Sequence, residues 1–427
     1  MTLSNIVGTS QRGVGPGERR RAQSVLVSFL AGLFSFEVAF LLFIFAGRYK
    51  GDPRLSWVPV DITLLFLLLS FAAAIWIILV PAKLRLFRPG LVVTFGLLLF
   101  LAWMVVSAAW TPSRVYGTRK AMELATLCLW AGLGPALIIS PSAVRFRRFC
   151  YAAMIFAATL AAEGLYNYML VGVVYGDTDN YLGLGRVAGF ASAVVLAGLS
   201  SRNPWRRNLL LWLLLALLAF VLWTAGGRGP FFAFLATVLV MLLGMVRLSA
   251  GTVRRRVAMS FLGLLIGVGI VVASVGPESR TLARLTVLFT HETGGGSAGE
   301  RLIFYKGAID IASTAPLMGH GVGSWPVMMG FGDVLSYPHN IFLEILAEGG
   351  VIGLLLFLLA VSIGLWHLFS NRAVSVFSDP VRLTVLLMFV NTFMNAQFSG
   401  DLSANRLLWC TIGLMAVGLR RDLSPSR

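Results

Sequence analysis

Apolar residues occur along this chain in long, nearly unbroken runs separated by short polar segments. A helix needs roughly 20 such residues to cross a bilayer. About 12 stretches of that kind are centred near positions 35, 70, 101, 129, 161, 193, 215, 238, 266, 354, 390 and 411. The pattern predicts an all-α, polytopic integral membrane protein. The run near 193, RVAGFASAVVLAGLS, is the weakest, and those near 215 and 238 are separated only by WTAGGRGP. The expected boundaries are a basic tail at 1–23, nine spans within 24–275, a polar loop at 276–338, three spans within 339–419 and a tail at 420–427.

The loop is the one extended hydrophilic stretch between spans. SRTLARLTVLF (279–289) reads as a short amphipathic helix, and HETGGGSAG (291–299) as a flexible hinge. ERLIFYKGAIDIAST (300–314) has apolar residues at helical spacing, and PLMGHGVGSW (316–325) is rich in turn residues. A loop of this length is uncommon unless it is functional, and it is expected to fold back over the outer membrane face.

Composition agrees with the span pattern. Of 427 residues, 58% are hydrophobic and 12% charged, against about a quarter charged in an ordinary soluble chain; mean hydropathy is +0.84. A net charge of +17 does not imply nucleic acid, because the basic residues are dispersed in short loops. There they fix topology and meet anionic lipid headgroups. With the N-terminus inside, 22 of the 35 Lys and Arg residues fall on cytoplasmic segments and 13 on outer ones. Both termini are therefore expected in the cytoplasm. The N-terminal ERRRAQSVLVSFLAGLF resembles a signal sequence, but its apolar run continues too long for one and reads as an uncleaved first span. Cys128, Cys150 and Cys410 lie inside apolar runs, with no disulfide framework or metal-ligand spacing.

Candidate chemistry gathers where the loop meets the next span. His339 sits in YPHN, just before an apolar run long enough to cross the bilayer. Pro338 suits the first turn of a helix, which would put His339 in that first turn, its imidazole neutral beside the helix dipole. Taken alone, an interfacial histidine is more often a headgroup anchor than a base. Glu344 and Glu348 share one helix face with Asn340. They are either groups turned toward the His339 cavity or a structural ion pair or protonated glutamate holding helices together. Glu37, Glu123 and Glu163 read as structural. Gly349, Gly350 and Gly353 leave room for another helix or a lipid to approach closely.

From His339 onward the order is His-Asn, nine residues, then Gly350-x-x-Gly353. In this the chain resembles the O-antigen ligase and O-antigen polymerase superfamily of bacterial membrane glycosyltransferases. TAGGRGPF (224–231) looks like its span-edge arginine element, and ERLIFYKGAIDIASTAPLMGHGVGSW like its loop element. The resemblance covers roughly 180–365 and implies an inner-membrane enzyme acting outside the cytoplasm. The donor would be a polyprenyl-diphosphate-linked glycan and the acceptor a glycan or lipid A–core. His339 would be the catalytic base, with Arg228, Arg301 and more loosely Arg186 holding the diphosphate, and Asn340 and Glu344 near the substrate. Neither a cofactor nor a metal is expected. A polymerase joining lipid-linked repeats is the second reading. A transporter of lipid-linked oligosaccharide is the third, disfavoured because no internal repeat is visible and polar residues concentrate in one loop.

Overall fold

The computed structural model describes residues 35–79, 88–174, 180–200, 205–246, 263, 296–370 and 374–419, and among these it is helical, with no strand. The principal helices are α1 (Phe36–Ile44), α2 (Ile62–Leu79), α3 (Arg88–Val106), α4 (Tyr116–Ile139), α5 (Ala143–Val171), α6 (Tyr181–Ser200), α7 (Trp205–Thr224), α8 (Arg228–Val246), α9 (Gly296–Thr314), α10 (Ile341–Phe369), α11 (Pro380–Ala396) and α12 (Arg406–Leu414). Seven described helices, α2 to α7 and α10, are long and apolar enough to cross a membrane, and α8, α11 and α12 contain shorter apolar helices. The run expected near 266, the amphipathic segment 279–289 and both tails lie outside the described residues. The last four residues of the expected hinge, 296–299, instead form the first turn of α9.

The weakest run in the sequence is the most enclosed of the described spans. α6 has 78% of its apolar window buried inside the protein. Its low contrast comes from small residues. Gly185, Ala188, Gly189, Ala191 and Ser192 are all buried, and side chains this small let neighbouring backbones close in. A Cβ on Gly189 would sit 3.0 Å from the amide of Asn391 on α11, and one on Gly185 would sit 2.9 Å from Pro230 at the start of α8. α6 thus packs between α11, α8, α5 and α7, with α10 laid along α3 on the other side.

α10 begins at Ile341, three residues after Pro338, which the sequence placed in its first turn. Asn340 is extended (φ −147°, ψ 122°), and its Oδ1 accepts from the N–H groups of Phe342 and Leu343 at 3.0 and 3.1 Å. That makes Asn340 the N-cap, since a short side-chain amide can satisfy N–H groups that have no partner within the helix. His339 is therefore outside the helix, with φ 59°, and not in its first turn.

Within α10 the chain breaks at Gly350 (φ 65°, ψ −168°), a conformation essentially confined to glycine. The turns of 316–321 fill the break. Val351 and Ile352 donate to the carbonyls of Pro316 and Leu317 at 2.8 and 3.1 Å, while His320 and Gly321 donate to those of Ala347 and Glu348 at 3.0 and 2.8 Å. Trp103 Nε1 of α3 donates to the Gly349 carbonyl at 2.9 Å. A Cβ on Gly350 would lie 2.3 Å from the Leu317 carbonyl oxygen. Gly350→Ala is expected to lower the thermal midpoint in detergent, losing about 1–3 kcal/mol from backbone conformation alone. An unchanged midpoint would mean that the break is not required.

One end of the bundle gathers the loops around His339. Asn180 Nδ2 donates to the Gly47 carbonyl at 2.7 Å, and Thr111 Oγ1 to the Val322 carbonyl at 2.9 Å. Asp333 accepts from Ser113 Oγ at 2.6 Å and from the N–H groups of Val115 and Tyr116 at 2.7 and 2.9 Å. With Tyr116 OH donating to Asp401 at 2.6 Å, these contacts draw the turns that begin near 45, 107, 315 and 397 to the end that the distribution of basic residues assigns to the outer face.

Candidate functional site

His339 lies in an aromatic niche built by the loop. Phe304, on α9, is parallel to its ring (8° between planes, centroids 6.2 Å apart), and Tyr337 meets it edge-on at 4.5 Å. Trp325 and Phe331 back Phe304 at 5.2 and 5.7 Å. The helical spacing that marked ERLIFYKGAIDIAST puts Arg301 and Phe304 one turn apart on one side of α9. Arg301 is close enough for its charge to act on the imidazole.

Burial first, then the Arg301 charge, lowers the His339 pKa from its ordinary value to about 4. The ring is therefore neutral at physiological pH, as a proton acceptor must be. Nδ1 is buried and has no hydrogen-bond partner. A non-glycine residue at φ 59° is strained by roughly 1–3 kcal/mol, and such strain persists only where surrounding structure enforces it. Here the Asn340 cap on one side and the aromatic niche on the other hold the ring at the mouth of the bundle.

Tyr337 turns the other way as well, into a basic cavity. A space of about 310 Å³ is lined by Arg48, Arg186, Arg406, Tyr337, Gly400 and Asn180, among others. Beside it a space of about 500 Å³ is lined by Lys50, Arg119, Glu123, Asp401 and, again, Tyr337 and Arg406. Arg186 comes within the closest reach of the Gly400 backbone, where a Cβ would lie 2.7 Å from its guanidinium, and its Nε is buried with no hydrogen-bond partner. Arg406 donates to the Phe43 carbonyl at 3.2 Å. Asp401 is held rigidly by Tyr116 OH at 2.6 Å and the Ala404 N–H at 2.7 Å.

The residues singled out from sequence are therefore distributed unequally. His339 and Arg301 come together, and Tyr337 joins them to Arg186. Asn340 uses its side-chain oxygen on the helix cap. Arg228 begins α8, whose Gly229 packs on Phe398, but it does not line the basic cavity. Glu344 does not open toward His339. It and Glu348 are completely buried around Lys120 of α4, whose Nζ lies 2.5 Å from Glu344 and 2.7 Å from Glu348. Glu344 Oε1 also accepts from the Leu402 N–H at 2.9 Å. Of the two readings open for these acids, the structure shows the ion pair, with a lysine as its centre. Glu123 and Glu163 likewise pair, with Arg119 at 3.0 Å and Arg54 at 2.8 Å.

Lys120, Arg48, Arg406 and the aromatic residues Phe304, Trp325 and Tyr337 were not singled out by the sequence. A signal existed for two of them. Lys120 and Arg406 each stand beside or within an apolar run, where a charge requires a partner or a water-lined space. The aromatic residues carried none, because Phe and Trp are common throughout the chain. Among the described residues no cluster of His, Cys, Asp or Glu could hold a metal ion.

Two comparisons bear on this geometry. Residues 211–358 match the O-antigen ligase family model, a stretch that contains Arg228, Arg301, the niche, His339, the acid pair and both motif glycines. An O-antigen ligase of Pseudomonas aeruginosa is 27% identical over 322 residues, covering 72% of this chain and 73% of the relative. The chain is thus similar to the O-antigen ligase family, and residues 211–358 carry that likeness. Its span-length apolar helices mark a multi-pass membrane protein, and the likeness supports an inner-membrane enzyme of the glycosyltransferase type. Within the matched stretch, the His-Asn motif holds an imidazole just outside a capped helix, and the Gly-x-x-Gly motif contains the α10 break onto which the 316–321 turns bond. Arg186, Arg48 and Arg406 lie outside the matched stretch but line the cavity next to it.

Proposed function

We propose that this protein is an O-antigen ligase-like transferase that moves a polyprenyl-diphosphate-linked glycan to an acceptor hydroxyl of lipid A–core on the periplasmic face, with both termini cytoplasmic and without a metal. The observation that carries the reading is a neutral His339, its Nδ1 buried and unpartnered, a single residue away from a cavity lined by three arginines. The bond broken is between the anomeric carbon and the diphosphate oxygen, and the bond formed joins that carbon to the acceptor oxygen. His339 takes the acceptor proton. Guanidinium groups stabilise the departing diphosphate, for which their planar forks suit paired oxygens.

The donor's diphosphate fits the Arg186 side of Tyr337, with Arg301 covering the reacting end near His339. Arg228 belongs to this proposal through the motif it shares with the family. Arg186→Ala and Arg301→Ala are expected to weaken donor binding and transfer together, because the diphosphate is contacted in both ground and transition states. Lysine at either position should restore only part, keeping charge but losing the fork. Donor binding unchanged in both alanine variants would remove the arginines from the proposal.

The pH profile follows from the lowered pKa of His339. Only the neutral ring accepts a proton, so kcat/KM should stay flat on the acid side down to about pH 5 and fall as pH drops through about 4. A bound diphosphate favours the imidazolium, so the corresponding limb of kcat should lie at higher pH. A kcat/KM limb near the ordinary histidine value of 6.5 would contradict this.

A polymerase that joins lipid-linked repeats shares the same chemistry; the name of the Pseudomonas relative supports the ligase. Purified protein given lipid-linked repeats alone, and then with lipid A–core, separates them. A single transfer that requires core indicates a ligase, and laddered products without core indicate a polymerase.

A further inference from the structure

The basic cavity has an apolar neighbour on the membrane side. A groove of about 360 Å³ runs between the end of α1, the start of α2 and the middle of α5, lined by Leu42, Leu65, Phe66, Phe156 and Leu160 among others. Its rim is charged but neutralised: Arg54 pairs with Asp52 at 2.5 Å and with Glu163 at 2.8 Å. Arg48 lines both this groove and the 310 Å³ cavity that holds Arg186 and Arg406. The two spaces therefore meet at one guanidinium, an apolar slot on one side and a cluster of positive charge on the other.

That juxtaposition fits one kind of molecule, an amphiphile with an anionic head and an apolar tail. We propose that the groove between α1, α2 and α5 takes the isoprenoid units next to the diphosphate of the lipid donor, which enters sideways from the bilayer past Arg48. The proposal rests on the donor being a prenyl diphosphate, as proposed above. The acceptor then reaches His339 from the opposite side, past Phe304 and Arg301, so that the two lipids do not compete for one portal. Ordinary phospholipid acyl chains touch every apolar surface of the bundle. The adjoining guanidiniums single out this groove for a lipid whose head carries two phosphates.

The test uses full-length protein in nanodiscs with a photoactivatable prenyl diphosphate, its reactive group placed in the first isoprenoid units. Irradiation followed by peptide mass spectrometry should place labels on segments 42–66 and 156–160, suppressed at least fivefold by unlabelled polyprenyl diphosphate. A photoactivatable phospholipid in the same bilayer should label these segments without such suppression. Leu160→Trp and, from the other wall, Leu65→Trp should each raise KM for the lipid donor about tenfold, with kcat near wild type and an unchanged elution profile.

Competable labelling confined to other helices would overturn the groove while leaving the prenyl-diphosphate donor intact. Absence of competable labelling anywhere would count against the donor itself. Labelling of the groove that unlabelled prenyl diphosphate does not reduce would mark it as a boundary-lipid site and overturn the proposal.

Discussion

His339→Ala is expected to slow transfer by about 10²–10⁴-fold, the usual contribution of a positioned general base, with donor binding close to wild type. The separation follows from geometry. The ring faces Phe304 and Tyr337, whereas the cavity suited to the diphosphate is lined by Arg48, Arg186 and Arg406. Because the backbone at 339 is left-handed, alanine adds a conformational cost that could be mistaken for chemistry. Asparagine tolerates that conformation better than most residues yet cannot accept a proton as imidazole does. His339→Asn should therefore fold normally and lose transfer to the same extent. Near-normal transfer by a folded His339→Asn protein would remove the base from the mechanism.

The largest effect on stability is expected at Lys120. Its Nζ is sealed from solvent between Glu344 and Glu348, and the same Glu344 oxygen holds the Leu402 N–H. Lys120→Met leaves two buried carboxylates with no counter-charge. Breaking a buried pair in this way costs about 3–5 kcal/mol. The change should lower the thermal midpoint sharply and loosen the 399–405 turn, which carries Asp401. Converting all three groups together, with Lys120→Met, Glu344→Gln and Glu348→Gln, removes the charge imbalance and should recover much of the loss. Glu344→Gln alone should be mild, because an amide oxygen can still accept from Leu402 and Lys120 keeps Glu348. A midpoint unmoved by Lys120→Met would show that the triad does not hold α4 to α10.

The helical class, and the places of the seven described span-length helices, were legible because lipid imposes a simple rule, a long apolar run for each crossing. Even the doubtful run near 193 became α6. Its small residues lowered the signal for the same reason that they let it sit at the centre. The His-Asn and Gly-x-x-Gly spacing was equally legible, because those residues act locally, one as a cap and one as a break within a single helix. The sequence by itself thus determined the helical membrane fold, and it singled out His339, where the loop meets α10, as the candidate for chemistry. Tertiary structure alone decided what each charge faces. Lys120 and Glu344 are 224 positions apart, and Arg48, Arg186 and Arg406 come from three different helices or turns. No periodicity along a chain records which faces of separate helices meet. That depends on packing in three dimensions, and it is what turned Glu344 inward to a lysine and gathered the arginines beside Tyr337.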